Sequence, residues 1–218
     1  MKKYHNDMKR QMKDSRTTDV NNSLERTISR VRLKKYLEMA DGNLDAAISI
    51  YEQNIKISEA MYPVLQGLEI CLRNTINLAM EEVFGNNWLT NGTPPFDGGT
   101  IREIQITAQK LKSPTNDDIV AALKFSFWVS LIAPRYDATL WRMAIYRGFN
   151  SMRGLRRSVI HGRMNALRRF RNRVAHHEPV MNNATQMHDE ALEAIRWMCR
   201  DSAVWIVSCS RFTTLRDR

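Results

Sequence analysis

The sequence predicts an all-α protein. Apolar residues recur at intervals of three and four along most of the 218 residues, which places them on one face of a helix. No segment shows the sustained apolar–polar alternation of a half-buried strand. With 43% hydrophobic residues and five tryptophans the chain can bury a core. We therefore expect a polar N-terminal arm over residues 1–20 and a single all-α domain over residues 21–218.

The first half of the chain contains two predicted helical regions and a loop. The first helix covers residues 22–40, because Asn22 is a capping residue with Glu25 three positions later. Residues 41–43 end this helix and cap the next, which runs from about residue 44 to residue 84 and is kinked or restarted at Pro63. The apolar stripe of this second region consists of Met61, Leu65, Leu68, Leu72, Ile76, Ala79 and Val83. Residues 85–99 form a loop, since they are rich in Gly, Asn, Thr and Pro.

The next predicted elements surround a buried central helix. Thr100 and Glu103 form a capping box for a short helix that ends near Lys112. Residues 119–133 are apolar on almost every side, which is typical of a helix buried all round. The residues expected in the core are Phe125, Trp128 and Leu131, together with Leu72.

Three more helices are predicted after the central one. A short helix covers residues 137–149, and a long arginine-rich helix covers residues 155–174. After Pro179, an amphipathic helix covers residues 184–207.

Composition excludes several classes of protein. No stretch approaches the roughly 20 apolar residues of a membrane span, and the charged N-terminus lacks the apolar region of a signal peptide. The three cysteines show no CxxC spacing and no histidine at ligand spacing, which argues against both a disulfide framework and a zinc site. We expect a cytoplasmic protein without membrane contact, metal or cofactor.

The net charge of +10 is concentrated in one segment that contains no acidic residue, between Asp137 and Glu178. Its basic residues are the ten arginines Arg142, Arg147, Arg153, Arg156, Arg157, Arg163, Arg168, Arg169, Arg171 and Arg173. Arginine binds phosphate in a bidentate manner, and clustered charge of one sign is typical of a nucleic-acid-binding surface. The predicted RNA-binding residues are Arg156, Arg157, Arg163, Arg168, Arg169 and Arg173. The alternatives are a solvated basic surface and a face that pairs with an acidic partner.

The stretch RFRNRVAHHEPV, residues 169–180, holds the candidate site. At 100° per residue, Arg171 lies on the same helix face as the apolar Ile160, Met164 and Leu167, so it must be paired or line a cavity. Pro179 ends or bends the helix near the histidines, which can turn His176 back towards Arg171. An imidazole that moves a proton and a guanidinium that holds phosphate suit phosphodiester cleavage.

A purely structural interpretation of this stretch is equally open. Arg171 would then bond the last carbonyl groups of the helix, and His176 and His177 would serve as caps. Upstream, Glu69 and Arg73 form an i,i+4 pair next to Asn74, which either stabilises the helix or helps to position Arg171.

The stretch RNRVAHHEPV resembles the signature of the HEPN superfamily, with Arg171, Asn172 and His176 at the signature positions. The blocks YEQNIKISEAMYPVLQGLEICLRNTI and LKFSFWVSLIAPRYDATLW resemble, in the same order, blocks of the Abi-like (abortive infection) bacterial proteins of that superfamily. The resemblance covers roughly residues 44–207.

This resemblance implies a HEPN-like helical bundle with additional helices and a metal-independent endoribonuclease. His176 would be the acid/base, Arg171 would bind the phosphate, and Asn172 would orient one of them. The RNA's own 2′-hydroxyl would be the nucleophile, so DNA would be spared.

The resemblance also implies partners and a biological role. Two protomers would bring their signatures into one cleft, so a homodimer is expected. The role would be that of an RNA-cleaving toxin in phage defence, controlled by an antitoxin or a phage-derived trigger. The alternatives are a non-catalytic RNA- or protein-binding HEPN module and an inert helical assembly subunit.

Overall fold

The structure, a computed structural model, describes residues 16–149 and 154–216. Within these ranges it contains helices and turns and no strand, which confirms the all-α prediction. The α-helices of these ranges are α1 (Thr18–Ile28), α2 (Arg30–Met39), α3 (Leu44–Phe84), α4 (Gly98–Gln109), α5 (Asn116–Ala122), α6 (Phe125–Ser130), α7 (Arg157–Ala175), α8 (Ala184–Met198), α9 (Arg200–Cys209) and α10 (Phe212–Arg216). Each of them is too short or too polar to span a bilayer.

The chain divides into two compact units, Met1–Glu59 and Ala60–Arg218, and the boundary falls within α3. In the first unit, Leu33, Tyr36 and Ala47 form a buried cluster. Residues 1–15 of the predicted N-terminal arm lie outside the described residues. The rest of the predicted arm is partly helical, because α1 begins at Thr18.

The prediction of one helix over residues 22–40 is wrong. The helical region begins earlier, at Thr18, and it consists of two helices, α1 and α2. Thr17 rather than Asn22 caps α1. The helix then breaks at Ser29, which has a φ of 79° and caps α2 by accepting a hydrogen bond from the backbone N–H of Arg32. Glycine is the residue that usually marks a positive φ, so a serine at this position did not indicate a break in the helix.

Helix α3 has the predicted bounds. The side chain of Asn43 caps its start by accepting a hydrogen bond from the backbone N–H of Ala46 at 3.0 Å. Pro63 lies inside the helix without ending it. Of the predicted apolar stripe, the buried members are Met61, Leu65, Leu68, Leu72, Ile76 and Ala79, whereas Val83 is half-buried.

The predicted capping box at the start of α4 is wrong. Asp97 caps the helix instead, because its carboxylate accepts the backbone N–H of Thr100 at 2.7 Å. Thr100 is buried, and its hydroxyl bonds that of Tyr136 at 2.8 Å. This tertiary hydrogen bond removes Thr100 from the cap. Helix α4 also ends at Gln109, before the predicted Lys112.

The predicted central helix is broken into α5 and α6 at Leu123 and Lys124, which have extended backbones. The indole N–H of Trp128 donates to the Leu123 carbonyl at 3.4 Å, so a side chain replaces part of the helical hydrogen bonding at the break. The predicted core is confirmed, since Phe125, Trp128, Leu131 and Leu72 are all buried.

Short turns replace the helix predicted over residues 137–149. They are a 3₁₀ turn at Pro134–Tyr136, a π-helical turn at Asp137–Trp141 and a 3₁₀ turn at Ile145–Phe149. Close packing accompanies this irregular backbone: a Cβ on Gly148 would lie 2.3 Å from the Thr75 side chain.

The arginine-rich helix is α7, with bounds close to the prediction, and it packs against α6 and α8. The predicted last helix is broken at Cys199, whose extended backbone separates α8 from α9. The Cys199 sulfur accepts the backbone N–H of Ser202 at 3.4 Å and so caps the start of α9. Cysteine is not among the usual capping residues, which is why the sequence pattern missed this break.

Candidate functional site

Helix α7 ends in a Schellman motif built by the two histidines. His176 is the capping residue, and His177 adopts the left-handed conformation with a φ of 57°. The backbone N–H of Glu178 donates to the Arg173 carbonyl at 2.9 Å, and that of His177 donates to the Val174 carbonyl at 3.0 Å. These two bonds satisfy the last carbonyl groups of the helix. The helix therefore ends at the predicted place.

Arg173 fastens the chain beyond this helix end. Its guanidinium donates to the Pro179 carbonyl and pairs with Glu178 at 3.4 Å. The structural role suggested for Arg171, bonding the last carbonyl groups of the helix, is taken by the backbone N–H groups of His177 and Glu178, and Arg173 holds the chain that follows.

Arg171 is less buried than the helical projection predicts. Ile160, Met164 and Leu167, on the same face, are fully buried, but 42% of the Arg171 side chain is exposed. Its guanidinium lies 3.3 Å from the Glu69 carboxylate of α3. The last turn of α7 therefore leaves the core, as the half-buried Val174 also shows.

A groove between α3 and α7 surrounds this ion pair. It has a volume of about 350 Å³ and contains three charged side chains, Glu69, Arg73 and Arg171. The other lining residues are Tyr62, Leu65, Gln66, Ile70, Val174 and Ala175. A cationic groove of this kind can accept an anionic group that competes with Glu69 for Arg171.

The groove lining ends at Ala175, the residue that precedes His176. Neither histidine is among the described residues that line it, and both are exposed. Asn172 is half-buried, and its backbone carbonyl accepts the His176 N–H at 2.9 Å. The structure thus brings Arg171 and Glu69 into contact, and His176 follows the last residue that lines their groove.

The predicted pair of Glu69 with Arg73 is replaced by other contacts. Glu69 pairs across the groove with Arg171, and Arg73 donates to the Asn74 side chain at 3.2 Å. Asn74 is exposed and lies on a different groove, next to Cys71. Glu69 therefore has the positioning contact that the sequence left open.

Most arginines of the acid-free segment obtain a carboxylate from elsewhere in the chain. Arg157 pairs with Asp137 at 2.7 Å and also donates to the Ile132 carbonyl at 2.8 Å. Arg163 pairs with Glu190 and Glu193 and lies over the Trp197 ring. The remaining pairs are Arg142 with Asp137, Arg147 with Glu82, Arg171 with Glu69 and Arg173 with Glu178.

Three predicted RNA-binding arginines have no such partner. Among the described residues, no carboxylate forms an ion pair with Arg156, Arg168 or Arg169. Arg156 and Arg169 are exposed, whereas Arg168 is half-buried. These three cations are the ones most available to an external anion. Arg153 lies outside the described residues.

Arg168 belongs to a row of polar side chains along α7. Its Nε donates to the Asn165 side chain at 3.3 Å, and the Asn165 amide lies 2.9 Å from His161 Nε2. Burial lowers the pKa of His161, and the positive charges of Arg157 and Arg135 lower it further. His161 therefore favours its neutral form beside a cationic surface.

Sequence reasoning singled out Glu69 and Arg73 on α3 but missed the other α3 residues of the groove. Among them, Tyr62, Gln66 and Ile70 line it at intervals of four residues. Their spacing of four residues could have revealed them, because it places them on one face of the long helix α3, next to Glu69 and Arg73.

Comparison with known proteins adds no relative: no protein-family model, curated protein or solved structure matches the chain. Among residues 16–149 and 154–216, no group of three or more His, Cys, Asp or Glu side chains is arranged to hold a metal ion.

Proposed function

We propose that the chain is a HEPN-type endoribonuclease that cleaves RNA without a metal ion. The observation that carries this proposal is the groove in which Arg171 pairs with Glu69. The lining of this groove ends at Ala175, the residue before the helix cap His176. Arg171 and His176 occupy the signature positions. Arg156, Arg168 and Arg169, which pair with no carboxylate in the part of the chain that the structure describes, add positive charge at the start of α7 and along it. The proposed cytoplasmic role is that of an RNA-cleaving toxin in abortive infection, with an antitoxin or a phage-derived trigger as partner.

The proposed chemistry needs only protein side chains and the RNA. His176 accepts the proton of the 2′-hydroxyl, whose oxygen attacks the adjacent phosphorus. Arg171 leaves Glu69 to bind the phosphate and stabilises the negative charge that develops on its oxygens. The P–O bond to the next nucleotide breaks, its oxygen takes a proton, and the product carries a cyclic phosphate.

The proton given to the leaving oxygen is the reason to propose a homodimer. Each chain carries one His176, and a two-fold axis near the groove supplies a second imidazole opposite the first. Tyr62 and Ile70, at the groove, expose 65% and 38% of their surface, which is an apolar area that a second copy can cover.

The second candidate is a non-catalytic RNA- or protein-binding module. Two observations favour it: Arg171 is already neutralised by Glu69, and the groove lining stops before His176. Such a module would use the same cationic surface and would not transfer protons.

Cleavage assays separate the two candidates. The purified protein is incubated with mixed cellular RNA in EDTA, with single-stranded DNA as a matched substrate, and the product ends are mapped. We expect RNA fragments with 2′,3′-cyclic phosphate ends and intact DNA. Salt-dependent RNA binding without cleavage would support the binding module instead.

A further inference from the structure

A second groove adjoins the Arg171 groove, with which it shares Gln66 and Ile70, and it is lined by all three cysteines of the chain. It lies between α3 and α9, has a volume of about 490 Å³ and is lined by Cys71, Cys199 and Cys209. The apolar side chains that line it include Ile70, Leu78, Trp205 and Ile206. A small uncharged molecule can enter a groove of this size and lining.

Close helix packing sets the position of Cys71 in this groove. A Cβ on Gly67 would lie 2.1 Å from the Ile206 side chain, so α3 approaches α9 closely only because position 67 is glycine. Cys71 follows Gly67 by one helical turn, and Ser202 precedes Ile206 by one turn. The close contact at Gly67 therefore places Cys71 beside the start of α9.

Cys199 and Cys71 share a hydrogen-bond partner there. The Ser202 hydroxyl interacts with both thiols, and its backbone N–H donates to Cys199. The Ser202 side chain and then its N–H lower the pKa of Cys199, whereas burial raises the pKa of Cys71 and a Cys199 thiolate raises it further. The two thiols thus line one groove on either side of Ser202 but are chemically unequal, with Cys199 the better nucleophile.

We propose that Cys199 and Cys71 form an oxidisable dithiol whose oxidant is a hydroperoxide. The Cys199 thiolate attacks the peroxide, forming an S–O bond as the O–O bond breaks, and the alcohol leaves after taking a proton. The Cys71 thiolate then attacks the sulfenic sulfur, forming the disulfide as the S–O bond breaks and water leaves. The peroxide is reduced by two electrons, and the two thiols are oxidised.

Cys209 serves as the internal control for this proposal. It is exposed and ends α9, about 15 Å of helix away from Cys199 at 1.5 Å per residue. A reaction governed by exposure alone would therefore choose Cys209.

The test uses the full chain, reduced and then treated with one equivalent of cumene hydroperoxide. Intact mass spectrometry should show the loss of two hydrogens in the wild type and in Cys209→Ser, and a non-reducing digest should contain the peptide that joins Cys71 to Cys199. In Cys71→Ser, dimedone should trap a sulfenic acid at Cys199. In Cys199→Ser, both remaining thiols should stay reduced. The helix should not be disturbed, because serine can cap α9 in place of Cys199.

Two results would overturn the proposal: oxidation that begins at Cys209, or unchanged thiols in the wild type. Both are independent of RNA cleavage, so the dithiol and the proposed ribonuclease can fail separately.

Discussion

Glu69 on α3 and Arg171 on α7 form an ion pair at 3.3 Å in which both side chains remain partly exposed. This pair defines the resting state of the candidate site. It holds the guanidinium at the groove, and under the proposed function it must open when the RNA phosphate binds.

Replacing Glu69 with Gln should therefore tighten RNA binding. A partly exposed pair contributes about 0–1 kcal/mol, which corresponds to at most about a fivefold change in affinity. Fluorescence anisotropy with labelled RNA measures the effect. Glu82→Gln is the control, because its pair with Arg147 at 3.2 Å is also partly exposed and does not line the groove. Equal affinity for both variants would contradict the proposed competition.

The neighbouring residues Arg156 and Arg157 should behave differently. Arg156→Ala should weaken RNA binding and reduce the slope of log affinity against log salt concentration by about 1, because this arginine is exposed and pairs with no carboxylate among the described residues. Arg157→Ala should instead lower the free energy of unfolding by about 1–3 kcal/mol, because it removes the bonds to Asp137 and Ile132. Urea unfolding and RNA titration on both variants check this, and an exchange of the two outcomes would refute the assignment.

His177 should be replaceable by glycine with a gain in stability. Its φ of 57° costs a non-glycine residue about 1 kcal/mol, which glycine avoids. His177→Gly should raise the free energy of unfolding by about that amount, whereas the β-branched Val at the same position should lower it. If thermal unfolding ranks the two variants in the reverse order, the Schellman geometry is wrong.

His161 should make the protein less stable in mild acid. Its pKa is lowered from the usual 6.5 in the folded chain, so the unfolded chain binds more protons. The stability that neutral His161 contributes is therefore present above 6.5 and lost as the pH falls through the lowered pKa. His161→Gln should show a shallower loss of stability in urea unfolding as the pH falls below 6.5. An unchanged pH slope would remove His161 as the cause.

Local signals in the sequence were sufficient for the long helices. Helix α3 was predicted with its observed bounds because Asn43 caps it and its apolar stripe is continuous. The breaks at Ser29 and Cys199 were missed because neither residue is a usual helix breaker. Tertiary contacts, such as the hydrogen bond between Thr100 and Tyr136, decided other ends.

The candidate site was predictable only in part. The signature placed Arg171 and His176 at the end of α7, and Glu69 was recognised as a residue that could position Arg171. The exposure of Arg171 was not predictable, because it depends on where the last turn of α7 leaves the core. Likewise, no local pattern shows that Glu190 and Glu193 neutralise Arg163.

The most direct test compares His176→Ala with His177→Ala in the metal-free RNA cleavage assay. Both histidines are exposed at the same helix end, so neither change removes core volume. We predict that His176→Ala loses activity by about 100-fold or more, the usual effect of removing a general acid/base, whereas His177→Ala loses much less. Wild-type cleavage by His176→Ala, or cleavage that requires added magnesium, would contradict the proposed site.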